Sequence, residues 1–142
     1  MALVFGDEGA QRVLEAYFND NWPVGGVNLT LKLFVNDHTP ADDDDSGDYT
    51  EAAGGGYVAK TLTQGSWTVA EAAGIMTATY AQQTFTFTGP LNGNAKIYGY
   101  YIVDADDNFV CAETIAVAFQ PANNGDQLLV TPKCQASKGT PT

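Results

Sequence analysis

The side chains of this sequence that could do chemistry are one histidine, two cysteines and a set of carboxylates, eight of which fall in two acidic clusters. The single histidine, His38, stands in Asn36-Asp37-His38-Thr39-Pro40. An imidazole can serve as general base or metal ligand near neutral pH. A second imidazole for a metal centre is missing, and any Ser-His-Asp or Cys-His arrangement would have to recruit His38 itself. No Gly-x-Ser-x-Gly elbow is present and no cysteine lies nearby in sequence. His38 therefore reads as a loop histidine ahead of a turn. The run Asp42-Asp43-Asp44-Asp45-Ser46-Gly47-Asp48 is more suggestive, because Asp42, Asp44, Ser46 and Gly47 follow the opening of a calcium loop. The twelfth position, where a bidentate Glu would close such a loop, is Ala53. The flanks also read as extended rather than helical, so a solvated acidic loop is the expectation.

Asp104-Ala105-Asp106-Asp107-Asn108 separates two strong strand runs and reads as a hairpin connection, with Asp and Asn supplying turn conformations. Gly54-Gly55-Gly56 lacks the strand, lysine and helix of a phosphate loop. Pairs of carboxylates for glycoside hydrolysis could be drawn from any acidic protein and carry no signal. The expectation is a protein that is not an enzyme, with no catalytic, cofactor-binding or metal residues and no cofactor.

Charge narrows the partners. Seventeen acidic residues face six basic ones, a formal net charge of −11. Nucleic acid is not expected as a partner, since neutralising phosphates requires clustered Lys and Arg. Nor is a membrane, because anionic lipid repels such a chain and no stretch approaches the roughly 20 apolar residues of a span. Charged residues make up only 16% of the chain, against about 25% on average. Much of the surface is then polar but uncharged, which lowers the cost of burying it against a partner. The start, Met1-Ala2-Leu3-Val4-Phe5-Gly6-Asp7, lacks a basic n-region and an apolar h-region, so synthesis and assembly in a cytoplasm are expected. Cys111 and Cys134, the only cysteines, are expected there as free thiols in small buried sites.

The elements follow from periodicity. Residues 8–19 form the one convincing helix: Asp7 can cap it, Glu8 sits in its first turn, and Val13, Leu14, Tyr17 and Phe18 make an apolar stripe. A helix this short is marginal alone in water and must dock. From Val27 to Val35 the aliphatic residues Val27, Leu29, Leu31, Leu33 and Val35 alternate with Asn28, Thr30, Lys32 and Phe34, a clear period of two. Further strands are expected at 57–63, 66–70, 76–80, 83–88, 96–103, 109–115 and 127–133, with Gly, Pro, Asn or Asp in most gaps. About eight short strands with little helix give a mainly β, single-domain β-sandwich, jelly-roll-like, with one short N-terminal helix. The divisions are an N-terminal arm and helix (1–26), the sandwich domain (27–134) and a flexible tail (135–142). The long connections 37–56 and 116–126 interrupt the regular spacing.

In 96–103, Ile97, Tyr101 and Val103 point one way while Tyr98, Tyr100 and Ile102 point the other. Both faces are apolar or aromatic, so the strand is expected to be covered on both sides, from within the chain or by another subunit. Val13, Leu14, Tyr17, Phe18, Tyr98 and Tyr100 are the candidate protein-interface residues, since Tyr couples a large apolar body to a polar tip.

Four phrases give the chain a likeness to known proteins: Asn28–Asn36, Tyr80–Phe87, Ile97–Asp104 and Asn123–Lys133. In these it resembles small virion structural proteins of tailed bacteriophages, including those of cyanobacterial viruses, of the head decoration (cement) type. The resemblance implies a trimeric β-sandwich of the virion, found among head-decoration or tail-fibre proteins, and carries over no functional residues. The chain has no coiled coil or repeat to project it as a fibre, and its acidity suits an outer shell. The expected function is therefore capsid decoration, on the capsid exterior, with the major capsid protein and further copies of the chain as partners. A tail fibre, spike or receptor-binding domain is the alternative. A free lectin-like module is a third class and would need an exposed ligand pocket.

Overall fold

The computed structural model describes Leu14, Phe18, residues 28–41 and residues 43–137. These residues are mainly β, and every strand pairing among them is antiparallel. The strands are β1 (Leu29–Phe34), β2 (Lys60–Leu62), β3 (Thr68–Ala72), β4 (Ile75–Thr79), β5 (Gln83–Thr86), β6 (Ile97–Val103), β7 (Phe109–Phe119), β8 (Gln127–Val130) and β9 (Lys133–Ser137). The chain divides into two compact units interleaved in sequence: Asn28–Leu62 with Gln82–Val130, and Thr63–Ala81 with Met1–Val27 and Thr131–Thr142.

The larger unit is built on a four-stranded sheet ordered β2-β1-β6-β7. Register puts Leu31 opposite Ile102 and Leu33 opposite Tyr100, while Lys32 faces Tyr101 and Phe34 faces Gly99. The aliphatic row Leu29, Leu31 and Leu33 is buried, as the period of two requires. Phe34 belongs to the opposite face and is buried too. Its ring can lie flat on the sheet because its cross-strand neighbour is Gly99. A Cβ built there would stand 2.6 Å from the Phe34 ring and 2.2 Å from the Glu113 carbonyl oxygen. On that face Phe34, Tyr49, Tyr101 and Val103 form a buried cluster, with Tyr98, Phe109 and Ala112 packed against it. From Gly99 to Val103 the strand β6 is buried throughout, so cover for its two faces comes from the chain itself. The β6–β7 register shifts between Ile97 and Gly99 and again between Ile102 and Val103, so that β7 carries more residues than the stretch of β6 it faces. A two-stranded ribbon, β5-β8, belongs to the same unit; Phe85 and Phe87 are buried, Phe85 stacked on Tyr57 and Phe87 against Phe119.

The smaller unit carries the sheet β3-β4-β9. Ala73 and Gly74 join β3 to β4, both with positive φ (51° and 80°), as the two-residue turns that match strand twist require. Its core holds Trp67, Met76 and Ala78. Phe18 joins them, its ring 4.4 Å from Trp67 and its carbonyl accepting from the Gly65 N–H. Of the helix expected at 8–19, Leu14 and Phe18 alone are described, both helical. The other positions, Val13 and Tyr17 included, lie outside the described residues, as do 138–142.

Several expectations change: β7 runs on to Phe119 and β2 is confined to Lys60–Leu62. The run 127–133 is two strands, broken at Thr131-Pro132 where proline cannot donate to a ladder. Strand β9 continues to Ser137, three residues into the expected tail. Cys111 and Cys134 are both disulfide-bonded, not free thiols. The free-thiol reading rests on an assumed reducing compartment, which the residues themselves do not establish.

Candidate functional site

Both acidic segments meet at one end of the larger unit, around Tyr49. The Tyr49 ring stacks on Tyr101 (centroids 4.9 Å apart) and on Phe109 (5.3 Å), and meets Phe34 and His38 edge-on. Its hydroxyl donates to Asp44, which also accepts from the Ala41 N–H at 2.9 Å and lies 2.8 Å from His38 Nε2. Those bonds favour the carboxylate. The Tyr49 hydroxyl first, then the Ala41 amide and His38, hold the Asp44 carboxyl down to about 2. Burial, and then the Asp44 bond, push the Tyr49 phenol up.

The rest of the acidic run is organised in the same way. Asp45 caps a single 3₁₀ turn, Ser46–Asp48, accepting from the Gly47 N–H, while Asp48 accepts from the Asp45 N–H at 2.8 Å. This reciprocal arrangement is a capping box. Asn36 ties the loop to β1 by donating to the Asp48 carbonyl and accepting from the Thr50 N–H. The carboxylates of Asp44, Asp45 and Asp48 thus bind the loop's own donors. Among the described residues no group of three or more His, Cys, Asp or Glu side chains is placed to hold a metal ion.

The hairpin Asp104–Asn108 behaves likewise. Asp104 accepts from the Asp106 and Asn108 N–H groups at 2.9 Å and from the Asn108 side chain, which lowers its pKa. Asp107 adopts φ 64°, the left-handed residue that follows the turn in a three-residue hairpin loop. Lys32 on β1 reaches Asp107 at 2.9 Å and Glu51 at 3.4 Å. Burial works against its charge, but the Asp107 bond and the Glu51 carboxylate together raise its pKa. Burial, and then Glu51, push the Tyr101 phenol up to about 12.

A second feature lies on the β5–β8 ribbon. Gly54, Gly55 and Gly56 all have positive φ (80°, 57° and 75°). Their backbone runs so close to residues 88–92 that a Cβ on Gly55 would stand 2.6 Å from the Gly89 carbonyl oxygen. The Thr88 N–H donates to the Gly55 carbonyl, and Gly54 bridges to Leu91. This approach lays Tyr57, Val58 and Lys60 beside β5 and leaves a cleft of about 140 Å³ lined also by Thr84, Phe85 and Thr86. The Lys60 ammonium sits 5.5 Å from the Phe85 ring centroid. The Tyr57 hydroxyl donates to Glu51 and accepts from the Leu33 N–H.

The candidate interface residues scatter. Leu14 is half-buried and Phe18 is turned into the core of the smaller unit. Tyr98 packs half-buried on the aromatic cluster. Tyr100 is 3% exposed and its hydroxyl donates to Glu113 at 2.7 Å. Neither Phe18 nor Tyr100 offers a free surface. Among the described residues the exposed large apolar side chains are Val58, Ile75, Val117 and Leu129; none is a candidate from the sequence, and the triple glycine is the sequence signal near Val58. No protein-family model, curated protein or solved structure matches the chain.

Proposed function

We propose that this chain is a virion structural protein of a tailed phage, a decoration (cement) protein that binds the outer capsid surface and stabilises contacts between major capsid subunits. In this reading the strands form a jelly-roll-like β-sandwich with a helix across 8–19, and the protein acts as a trimer without catalysing a reaction. The observation that carries it is the separation of charge within the larger unit. Carboxylates gather at the Tyr49 end, in loops that their own hydrogen bonds hold, while the exposed apolar side chain Leu129 lies on the β5–β8 ribbon and Val58 on the segment beside β5. A protein that sits on a shell needs one face poor in charge to dock and another that stays hydrated. The resemblance of the strand phrases to virion proteins supplies the particle.

Synthesis in a host cytoplasm fits a disulfide that closes after particles leave the reducing cell. Alkylation of thiols in particles taken before and after lysis checks this: protection already complete inside the cell would contradict it. The function is tested by quantitative mass spectrometry of purified particles. Copy number near that of the major capsid protein, or a fixed fraction of it set by trimers between capsomers, is expected. A few dozen copies or fewer would assign the chain to the tail, as fibre or spike, and overturn decoration.

A further inference from the structure

Asparagine precedes glycine at two places in the larger unit, Asn92-Gly93 and Asn124-Gly125. The backbone nitrogen that follows an asparagine can attack its side-chain carbonyl, and glycine, having no Cβ, leaves that approach open. An attack between neighbouring groups of one chain needs only the right geometry and an available nitrogen. Both asparagines and both glycines are exposed, and a Cβ on either glycine would meet nothing within 4 Å. Access to water and room to rearrange are therefore alike at the two places.

The two nitrogens differ. Asn124 and Gly125 are the central residues of a turn closed by the Asp126 N–H on the Asn123 carbonyl, with Gly125 at φ 95°, as the third residue of a type II turn requires. The Gly125 N–H donates to the Phe87 carbonyl at 2.8 Å. Asp126 ties the same loop by accepting from the Ala122 and Asn123 N–H groups. Gly93, by contrast, lies in the single 3₁₀ turn Asn92–Asn94, where Leu91 supplies no side-chain cap. Such a turn leaves its first N–H groups without a partner of its own. Among the described residues, the Gly93 N–H meets no acceptor.

We propose that Asn92 is a site of spontaneous deamidation, closing onto the Gly93 nitrogen, while the fold holds Asn124 inert. The Gly93 nitrogen gives up its proton and bonds to Asn92 Cγ; the Cγ–Nδ2 bond breaks, and the side-chain nitrogen leaves as ammonia with a proton. Water then opens the five-membered imide at one of its two carbonyls. Release from Cγ leaves aspartate, and release from the main-chain carbonyl leaves isoaspartate, with the chain rerouted through Cβ and Cγ. No electrons are exchanged. The position matters to the fold, because Asn92 Cγ lies only 2.8 Å from where a Cβ on Gly54 would stand. The Asn92 N–H donates to the Ala53 carbonyl, and Leu91 bridges to Gly54. Isoaspartate draws that Cγ into the main chain, so the close approach of the triple glycine to residues 88–92 loosens.

The test is to age the full-length protein in mildly alkaline buffer, once folded and once unfolded in guanidinium. Both sites are then followed by mass spectrometry after reduction and tryptic digestion; Lys96 lies between them, so they fall on separate peptides. Labelling with an isoaspartyl methyltransferase distinguishes isoaspartate from aspartate. In the unfolded chain the two sites should react alike. In the folded protein Asn124 should lag Asn92 by about tenfold or more, the rate equivalent of one backbone hydrogen bond that must first break. Equal rates in the folded protein, a faster Asn124, or no loss of either amide would overturn the proposal. The isoaspartate form, separated by ion exchange, should melt below the unaged protein. Identical melting would show that the turn at Asn92 does not hold the triple glycine in place.

Discussion

The acidic end of the larger unit and the face of its β5–β8 ribbon differ in what their side chains already touch. At the acidic end, Asp44, Asp45, Asp48 and Asp104 each accept hydrogen bonds from their own loop, and Lys32 ties the hairpin to β1. On β8 and in the segment after the triple glycine, Leu129 and Val58 are largely exposed, and among the described residues Lys60 makes no ion pair. The conspicuous residues are thus occupied in folding, and the inconspicuous ones are left exposed. A cluster of charge attracts attention in a sequence because its composition is unusual. Whether it is a site depends on whether local backbone donors have already filled its lone pairs.

The largest effect that would test this contrast is at Tyr49. Replacing it by Ala removes a ring packed on Tyr101, Phe109 and Phe34 and leaves Asp44 without its main donor. The expected loss is about 3–5 kcal/mol, read from denaturant unfolding. Tyr49→Phe keeps the packing and should cost much less. If Tyr49→Ala melted like wild type, the acidic end would not be the structural element described.

Next comes acid. The Asp44 carboxyl is held at about 2, below its ordinary 3.8, so the folded protein takes up this proton at lower pH than the unfolded chain does. The stabilisation is whole above about pH 4 and is lost as pH falls from there through about 2. Melting temperatures across this window should fall more steeply for wild type than for Asp44→Asn, which should be the less stable of the two at neutral pH. Parallel pH curves would show that the bonds to Tyr49, Ala41 and His38 do not hold the carboxylate.

These effects also mark where the sequence could be read. The period of two from Leu29 to Leu33 placed β1 and its buried row correctly, because alternation reports a face directly. Burial of Phe34 was not legible: it depends on Gly99, sixty-five positions away, being the residue opposite. The four residues Ala116–Phe119 extend β7 although they lead into Pro121-Ala122-Asn123-Asn124-Gly125-Asp126, whose turn chemistry drew the expected boundary too early. The break at Pro132 is legible in the sequence, since a proline cannot donate to a ladder. The two units alternate along the chain, so no change in composition marks the passage between them. Of the site, Asp104–Asn108 was read as the hairpin it is, since its bonds are local. The Asp44–Tyr49–His38 contacts and the cleft at Tyr57 arise from packing that spacing does not encode.

A third effect, smaller, sits in the hairpin. Asp104→Ala removes an acceptor for two backbone N–H groups and one side chain, all exposed, so water replaces part of what is lost. About 1 kcal/mol of destabilisation is expected, measured by chemical denaturation. A loss as large as that of Tyr49→Ala would mean that the hairpin, rather than the aromatic cluster beneath it, organises this end.

The smallest effect is the most telling for the other half of the contrast. Val58→Ser trims an apolar side chain that is 68% exposed, so little surface is returned to water on unfolding and no cavity forms in the folded state. Surface substitutions of this kind stay within about 0.5 kcal/mol of wild type. Phe85 and Tyr57, which form the floor beside it, keep their stacking at 6.0 Å, and Val58 lies in the segment that follows the triple glycine rather than in a paired strand. Chemical denaturation at low protein concentration should therefore give an unchanged midpoint. A loss of 2 kcal/mol or more, of the order seen for buried aliphatic truncations, would place Val58 in the fold instead. The ribbon face would then be a poorly covered part of the core, and its exposed apolar surface would no longer distinguish it from the acidic end.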